Sequence, residues 1–340
     1  MIKEIIFYNN FHIGDILFTQ PLIKKFIELN SDKYNIGFYS KYNDFIFNDI
    51  KNLNIINKYD QNQNDLFTFF NNISWNKLIL INNNETLLIN TWIGCSIIAD
   101  EEKYKQLPEI YTDIECNLIY LHEAFKKSIN TLNKNYNIDL KYDYITQDCL
   151  VELPNVNIDN FLEYKKNTNK KIIFYYNYIG QSFQYMSFNN TQDEHDIIIS
   201  EIANNNKDII IILAKPSKIQ EIYPNILDTV TNFNCNESQS CENIVKVVNI
   251  AMECDYVYSY NIGAAFYLVN TDFNKKFIGN WYIIEPIPHF YEKINMQLQN
   301  SRLKNIIANN KNEIIFFINN VTLNDLIIKK CNLLKLMIIR

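Results

Sequence analysis

Short apolar runs alternate with segments of helical spacing along most of this chain, and the alternation stops once and then restarts. Strands that alternate with helices are joined by crossovers, and crossovers build parallel sheets with helices on their faces. In the first series Ile2 to Tyr8 reads as a strand and Ile16 to Leu29 as a helix, with Pro21 tolerable only near its start. Tyr34 to Tyr39 and Leu78 to Ile81 read as buried parallel strands, and Ile114 to Leu132 has helical spacing.

The break is "ELPNVNIDNFLEYKKNTNKK" (152–171), which carries a proline and ends in a polar, lysine-rich stretch. It reads as a link containing one short helix. In the second series "KIIFYYNYIG" is a strand entering a glycine turn, "DEHDIIISEIANNN" a helix and "DIIIILA" a strand. "CENIVKVVNIAMEC" is a helix, "DYVYSYNIG" a strand ending at Gly263, "AAFYLV" the opening of a helix, and "KKFIG" a strand ending at Gly279. The expected fold class is α/β, with two tandem Rossmann-like βαβ domains at 1–150 and 171–320, a linker at 151–170 and a C-terminal helix at 321–340. Thr322-x-x-Asp325 supplies the start signal of that last helix. It either docks on its own fold or lies on a membrane surface through Lys329, Lys330, Lys335 and Arg340.

With 340 residues and 47% hydrophobic content the chain can bury a large core, and its length favours two domains. A net charge of -6 argues against a general nucleic-acid footprint. It leaves room for a local phosphate site made from backbone amides and a lysine. Asparagine is so abundant that single asparagines carry little information. Glycine is scarce, with only 6, at 14, 37, 94, 180, 263 and 279, so each is expected to mark positive φ or a close backbone approach. The 7 cysteines include no Cys-x-x-Cys pair and read as reduced core thiols. There is no signal-peptide pattern at Met1 and no apolar run near the roughly 20 residues that span a bilayer. The expectation is a cytoplasmic protein, peripheral at most to the inner face of a membrane.

Several chemistries lack their signature. G-x-x-x-x-G-K-[ST], G-x-G-x-x-G, H-E-x-x-H and G-x-S-x-G are all missing, and His122-Glu123 has no second histidine. No Asp-x-Asp pair is present, and the 4 histidines are scattered, so neither a metal site nor a cofactor is expected.

What remains is strand–turn–helix geometry. In open α/β sheets ligands sit beyond the carboxyl ends of the strands, and Gly14, Gly180 and Gly263 each follow an apparent strand there. Gly14 leads to Asp15 at the start of a helix, where the dipole favours the ionised carboxylate. Such an aspartate either caps the helix or serves as a general base toward an acceptor hydroxyl. His12 is an acceptor-side candidate or a backbone hydrogen-bonding residue; Thr19 and Gln20 either line the cleft floor or pack in the helix. Gly180, Gln181 and Ser182 offer amides and a hydroxyl to a diphosphate, or form an ordinary loop. Gly263 and Ala264 direct small residues and free amides at a helix N-terminus, the better phosphate candidate. Lys215, in "LAKPSK", is a cation for that site or a surface lysine.

These residues resemble the ADP-heptose–lipopolysaccharide heptosyltransferase family, glycosyltransferase family nine. "HIGDILFTQPLIKKF" is similar to that family's N-terminal signature, and the family's proposed catalytic base falls on Asp15. More loosely, "CENIVKVVNIAMECDYVYSYNIGAAFYLV" is similar to its second-domain helix, strand and Asp-x-Gly-x-x-His turn. Asn261 stands at the family's Asp and Phe266 at its His, and the 179–190 loop holds no lysine or arginine. The resemblance implies the GT-B architecture, two Rossmann-like domains facing across a cleft. It also implies metal-independent, inverting transfer of a sugar from a nucleotide-diphosphate donor to a glycan or lipid-linked glycan hydroxyl. Asn261 joins Gly180, Gln181, Ser182, Lys215, Gly263 and Ala264 on the donor side. The alternative is a degenerate, non-catalytic pair of domains that binds a glycan or a partner.

Overall fold

A computed structural model describes residues 2–9, 13–40, 45–56, 79–82, 85–91, 137–143, 150–179, 191–236, 240–260, 263–286 and 298–321, with scattered positions in 122–134 and 291–295. Within them the chain is an α/β protein built on two mostly parallel, Rossmann-like sheets in tandem, as the alternation predicts.

The first sheet contains β1 (Glu4–Asn9), β2 (Asn35–Ser40), β3 (Leu53–Ile55), β4 (Ile79–Asn82) and β5 (Thr86–Asn90), in the order β3-β2-β1-β5-β4. β1 is central and parallel to both neighbours, with Phe7 opposite Phe38 and Ile89. Every residue of β1 after Glu4 is buried, which explains a continuous rather than alternating apolar run. The expected strand near 78–81 is β4, but it runs antiparallel to β5, with Ile79 paired to Ile89 and Asn82 to Thr86. Residues 83–85 are too short a connection for the crossover that a parallel neighbour requires.

Helix α1 (Ile13–Asn30) begins at Ile13 rather than Ile16, so Gly14 and Asp15 belong to its first turn and Pro21 lies well inside it. Pro21 has no amide for the Leu17 carbonyl, yet the helix runs on because its apolar face is anchored. Leu17, Leu22, Ile23 and Phe26 are buried, and the Phe26 ring meets Phe7 edge-on at 5.0 Å. Each such side chain contributes about 1.5–3 kcal/mol by burial.

The second sheet contains β6 (Lys171–Tyr175), β7 (Ile209–Leu213), β8 (Ile226–Asp228), β9 (Tyr256–Ser259), β10 (Asn280–Glu285) and β11 (Leu303–Ile307). All pairs are parallel, in the order β11-β10-β9-β6-β7-β8. This is the doubly wound order, with its reversal between β6 and β9. The helices are α2 (Asp159–Asn167), α3 (Gln192–Asn205), α4 (Thr229–Phe233), α5 (Cys241–Met252) and α6 (Phe273–Lys276). Thr191 caps α3 by accepting from the Glu194 amide, and Ser240 caps α5 by accepting from the Asn243 amide, which positions both starts.

Two expected elements differ. "AAFYLV" forms a six-residue 3-10 helix, Gly263–Leu268, rather than an α-helix. Asn270 closes this segment: its Nδ2 donates to the Tyr267 carbonyl at 2.7 Å, and its Oδ1 accepts from the Asp272 and Phe273 amides. "KKFIG" is not a strand. Phe273–Lys276 is α6, supported by the Lys276–Asp272 pair at 2.7 Å, and the strand begins only at Asn280. Gly279 lies between them because a Cβ there would stand 2.3 Å from the Cys254 carbonyl oxygen. No described glycine has positive φ; Asn52, Asn137, Asn234 and Gln299 take the left-handed positions instead.

Val151 bridges in parallel to Asn270, so the chain at the start of the expected linker is stitched to the second half. Helix α1 packs on the 263–268 turn, and α5 packs on that turn and on a 3-10 turn at Phe45–Phe47. Cys235 and Cys254 are free buried thiols. Among the described residues no helix is long and apolar enough to cross a membrane. The expected C-terminal helix lies outside the described residues beyond 321; helix 311–321 precedes it.

Candidate functional site

In the second sheet the direction of strand order reverses between β6 and β9, and the crevice of a doubly wound sheet opens beyond their carboxyl ends. β6 leads into Tyr176–Ile179, and β9 leads through Tyr260 to the turn at Gly263. β7 leads to Lys215. In the first sheet β1 leads to the start of α1, with Gly14 buried in its first turn. The packing of α1 on the 263–268 turn brings the helix that carries Gly14 and Asp15 against the turn that carries Gly263 and Ala264.

The backbone of Asp15 lies in the first turn of α1, where the helix dipole favours a carboxylate. His12, Gly180, Gln181, Ser182 and Asn261 lie outside the described residues. Thr19 is buried and its hydroxyl donates to the Ile16 carbonyl at 2.6 Å. Gln20 is buried too. Its Oε1 accepts from the Glu152 amide, and its Nε2 donates to the Ile46 and Glu152 carbonyls. The polar atoms of Thr19 and Gln20 thus serve the backbone, which fits the packing alternative for both. Gln20 also edges a cleft of about 540 Å³ whose described walls include Lys24, Glu28, Asp49, Lys51 and Leu153.

Lys215 is held by its backbone. Its amide donates to Asn177 Oδ1 and its carbonyl accepts from Asn177 Nδ2, each at 3.0 Å. This reciprocal pair ties the turn after β7 to the segment after β6. Burial lowers the Lys215 pKa, while the charge of Asp196 acts the other way. Asp196 accepts from Ser217 Oγ at 2.6 Å and from Gln192 Nε2 at 2.7 Å. A half-buried cation fixed beside a strand end can receive an anionic ligand.

Beneath these turns lies a buried polar cluster that no sequence motif marks. His195, in the first turns of α3, has Nδ1 3.1 Å from Tyr175 Oη, and Tyr175 Oη is hydrogen-bonded to Tyr260 Oη. Burial, joined by the Lys215 charge, pushes the His195 pKa down to about 3. Burial pushes the Tyr175 and Tyr260 phenols up. The available signal was a tyrosine at or just past the end of two strand-like runs, in "IIFY" and "YVYSY". Among the described residues no group of three or more His, Cys, Asp or Glu side chains is placed to hold a metal ion.

No family model and no curated protein matches the chain. Solved structures do. The chain is similar to a glycosyl transferase family 9 protein from Veillonella parvula, at 11% identity and a TM-score of 0.41, over 86% of this chain and 83% of that one. It is similar to the E. coli ADP-heptose lps heptosyltransferase II, at 7% identity and a TM-score of 0.46, over 95% and 99%. It is also similar to a putative UDP-N-acetylglucosamine 2-epimerase from Listeria monocytogenes, at 13% identity and a TM-score of 0.42, over 96% and 89%.

Proposed function

We propose that this protein is a GT-B glycosyltransferase that moves a sugar from a nucleotide-diphosphate donor to a glycan hydroxyl, with inversion and without a metal. The observation that carries the reading is the packing of α1 on the 263–268 turn. It sets α1, whose first turn carries Asp15, against the 263–268 turn that follows β9 at the switch point of a doubly wound sheet.

In this reading Asp15 takes the proton of the acceptor hydroxyl as its oxygen attacks the anomeric carbon. The bond to the diphosphate breaks on the opposite face. Backbone amides of the Gly180 loop and the Gly263–Ala264 turn, with the Lys215 ammonium, offset the charge that develops on the leaving diphosphate. Gln181, Ser182 and Asn261 complete the donor side, and His12 stands on the acceptor side. A lipid-linked acceptor would bring the enzyme to a membrane surface.

The test is a calorimetric and thermal-shift screen of ADP-, GDP-, UDP- and CDP-sugars against wild type and Asp15→Asn. The reading expects one nucleotide class to bind both proteins equally. Absence of binding by every nucleotide sugar, in a folded sample, would overturn it.

A second reading, a non-catalytic glycan- or partner-binding module, is favoured by one observation. Phe266, at the position of the resembled family's histidine, is half-buried and packs against the core.

A further inference from the structure

Tyr175 closes β6, Tyr260 directly follows β9, and His195 lies in the first turns of α3. All three are fully buried. Their rings form a closed triangle of edge-to-face contacts, with centroid separations of 5.7, 5.9 and 5.5 Å and interplanar angles of 82°, 73° and 70°. The polar atoms are chained as His195 Nδ1, Tyr175 Oη and Tyr260 Oη. Packing alone does not require this chemistry. Phenylalanine fills the same volume, and a buried hydroxyl is tolerated only where it is partnered. The triangle spans the two strands that flank the switch point, and Tyr260 begins the segment that ends in the Gly263 turn.

We propose that His195, acting through Tyr175 and Tyr260, is a positioning residue that fixes the two strand ends on which the diphosphate-binding turns are built. The inference rests on the glycosyl-transfer reading of the same crevice. A neutral imidazole has one donor nitrogen and one acceptor nitrogen, so Nδ1 can pair with the Tyr175 hydroxyl in either tautomer. The Asn177–Lys215 pair extends the same frame, joining the segment after β6 to the lysine beside the site. A site held by such a supporting layer loses affinity when the layer loosens, although nothing in the layer touches the ligand.

The experiment uses the full chain and four variants: Tyr260→Phe, Tyr175→Phe, His195→Leu and His195→Asn. Asparagine carries a polar atom at the same bond distance from Cβ as Nδ1, so it can keep the hydrogen bond to Tyr175. Binding of ADP, GDP, UDP and CDP, and of the matching nucleosides, is measured by calorimetry. The expected result is a roughly tenfold loss of diphosphate affinity in both Phe variants and in His195→Leu, with nucleoside affinity unchanged. His195→Asn should recover most of the loss. Unchanged diphosphate affinity in the folded Phe variants would overturn the inference alone. So would diphosphate and nucleoside affinity falling together, the mark of general loosening. Absence of binding by wild type would overturn the functional reading itself, and this inference with it.

Discussion

Gln20 holds the backbone of Glu152 at both of its polar groups: Oε1 accepts from the Glu152 amide at 2.9 Å, and Nε2 donates to the Glu152 carbonyl. The same Nε2 donates to the Ile46 carbonyl at 2.8 Å. One buried amide thus ties α1, the turn at 45–47 and the first residues of the linker into a single corner. The next residue back in the linker, Val151, bridges to Asn270 just past the 263–268 turn. The corner therefore bears on how α1 meets the 263–268 turn.

Replacing Gln20 by alanine leaves three backbone groups without that partner. We expect a loss of roughly 1–3 kcal/mol in denaturant unfolding. Lys24→Ala removes the nearby Lys24–Glu152 ion pair, which is largely exposed, and should cost less than about 1 kcal/mol. Equal costs for the two variants would contradict the structural role given to Gln20.

Gly279 and Gly37 make a second comparison. A Cβ at Gly279 would stand 2.3 Å from the Cys254 carbonyl oxygen and 2.6 Å from that of Asp255, and backbone cannot easily retreat. A Cβ at Gly37 would meet the Ile56 side chain first, at 3.3 Å. Gly279→Ala should therefore lower the melting temperature more than Gly37→Ala, with a cost of about 1–3 kcal/mol or above.

Glycine scarcity pointed to the right positions by half of its logic. Close approach explains Gly279, but positive φ explains none of the described glycines. Asparagine, which tolerates the left-handed region through its short polar side chain, takes that role at Asn52, Asn137 and Asn234. In a chain this rich in asparagine those three cannot be told from the rest by sequence. The strands that read clearly were long apolar runs such as Ile209–Leu213, buried throughout. β3 and β8 are three-residue strands, and Leu303–Ile307 mixes buried and exposed positions; such segments carry too little apolar signal to stand out. Glycine and charge mark turns in the sequence at Gly14, Asp15 and Gly263, and these are the positions on which the proposed site rests. The site was not legible at His195, whose role depends on contacts with Tyr175 and Tyr260 that only the sheet order creates.

His195 also sets a pH dependence. Its folded pKa, about 3, lies below its usual 6.5, so the unfolded chain binds a proton that the folded chain refuses. Stability from this group is complete above pH 6.5 and is lost as pH falls toward 3. The expected slope is roughly 1.4 kcal/mol per pH unit within that window. Unfolding measured from pH 7 to 4 should show a shallower slope in His195→Asn than in wild type. Identical slopes would mean that His195 titrates normally in the folded protein.

The measurement that bears most directly on the account is release of nucleoside diphosphate from the nucleotide sugar that binds best, in wild type and Asp15→Asn. The account predicts equal donor binding and a loss of turnover of about a hundredfold or more in the variant. Turnover that survives Asp15→Asn unchanged, or a folded wild type that turns over no bound donor, would contradict it.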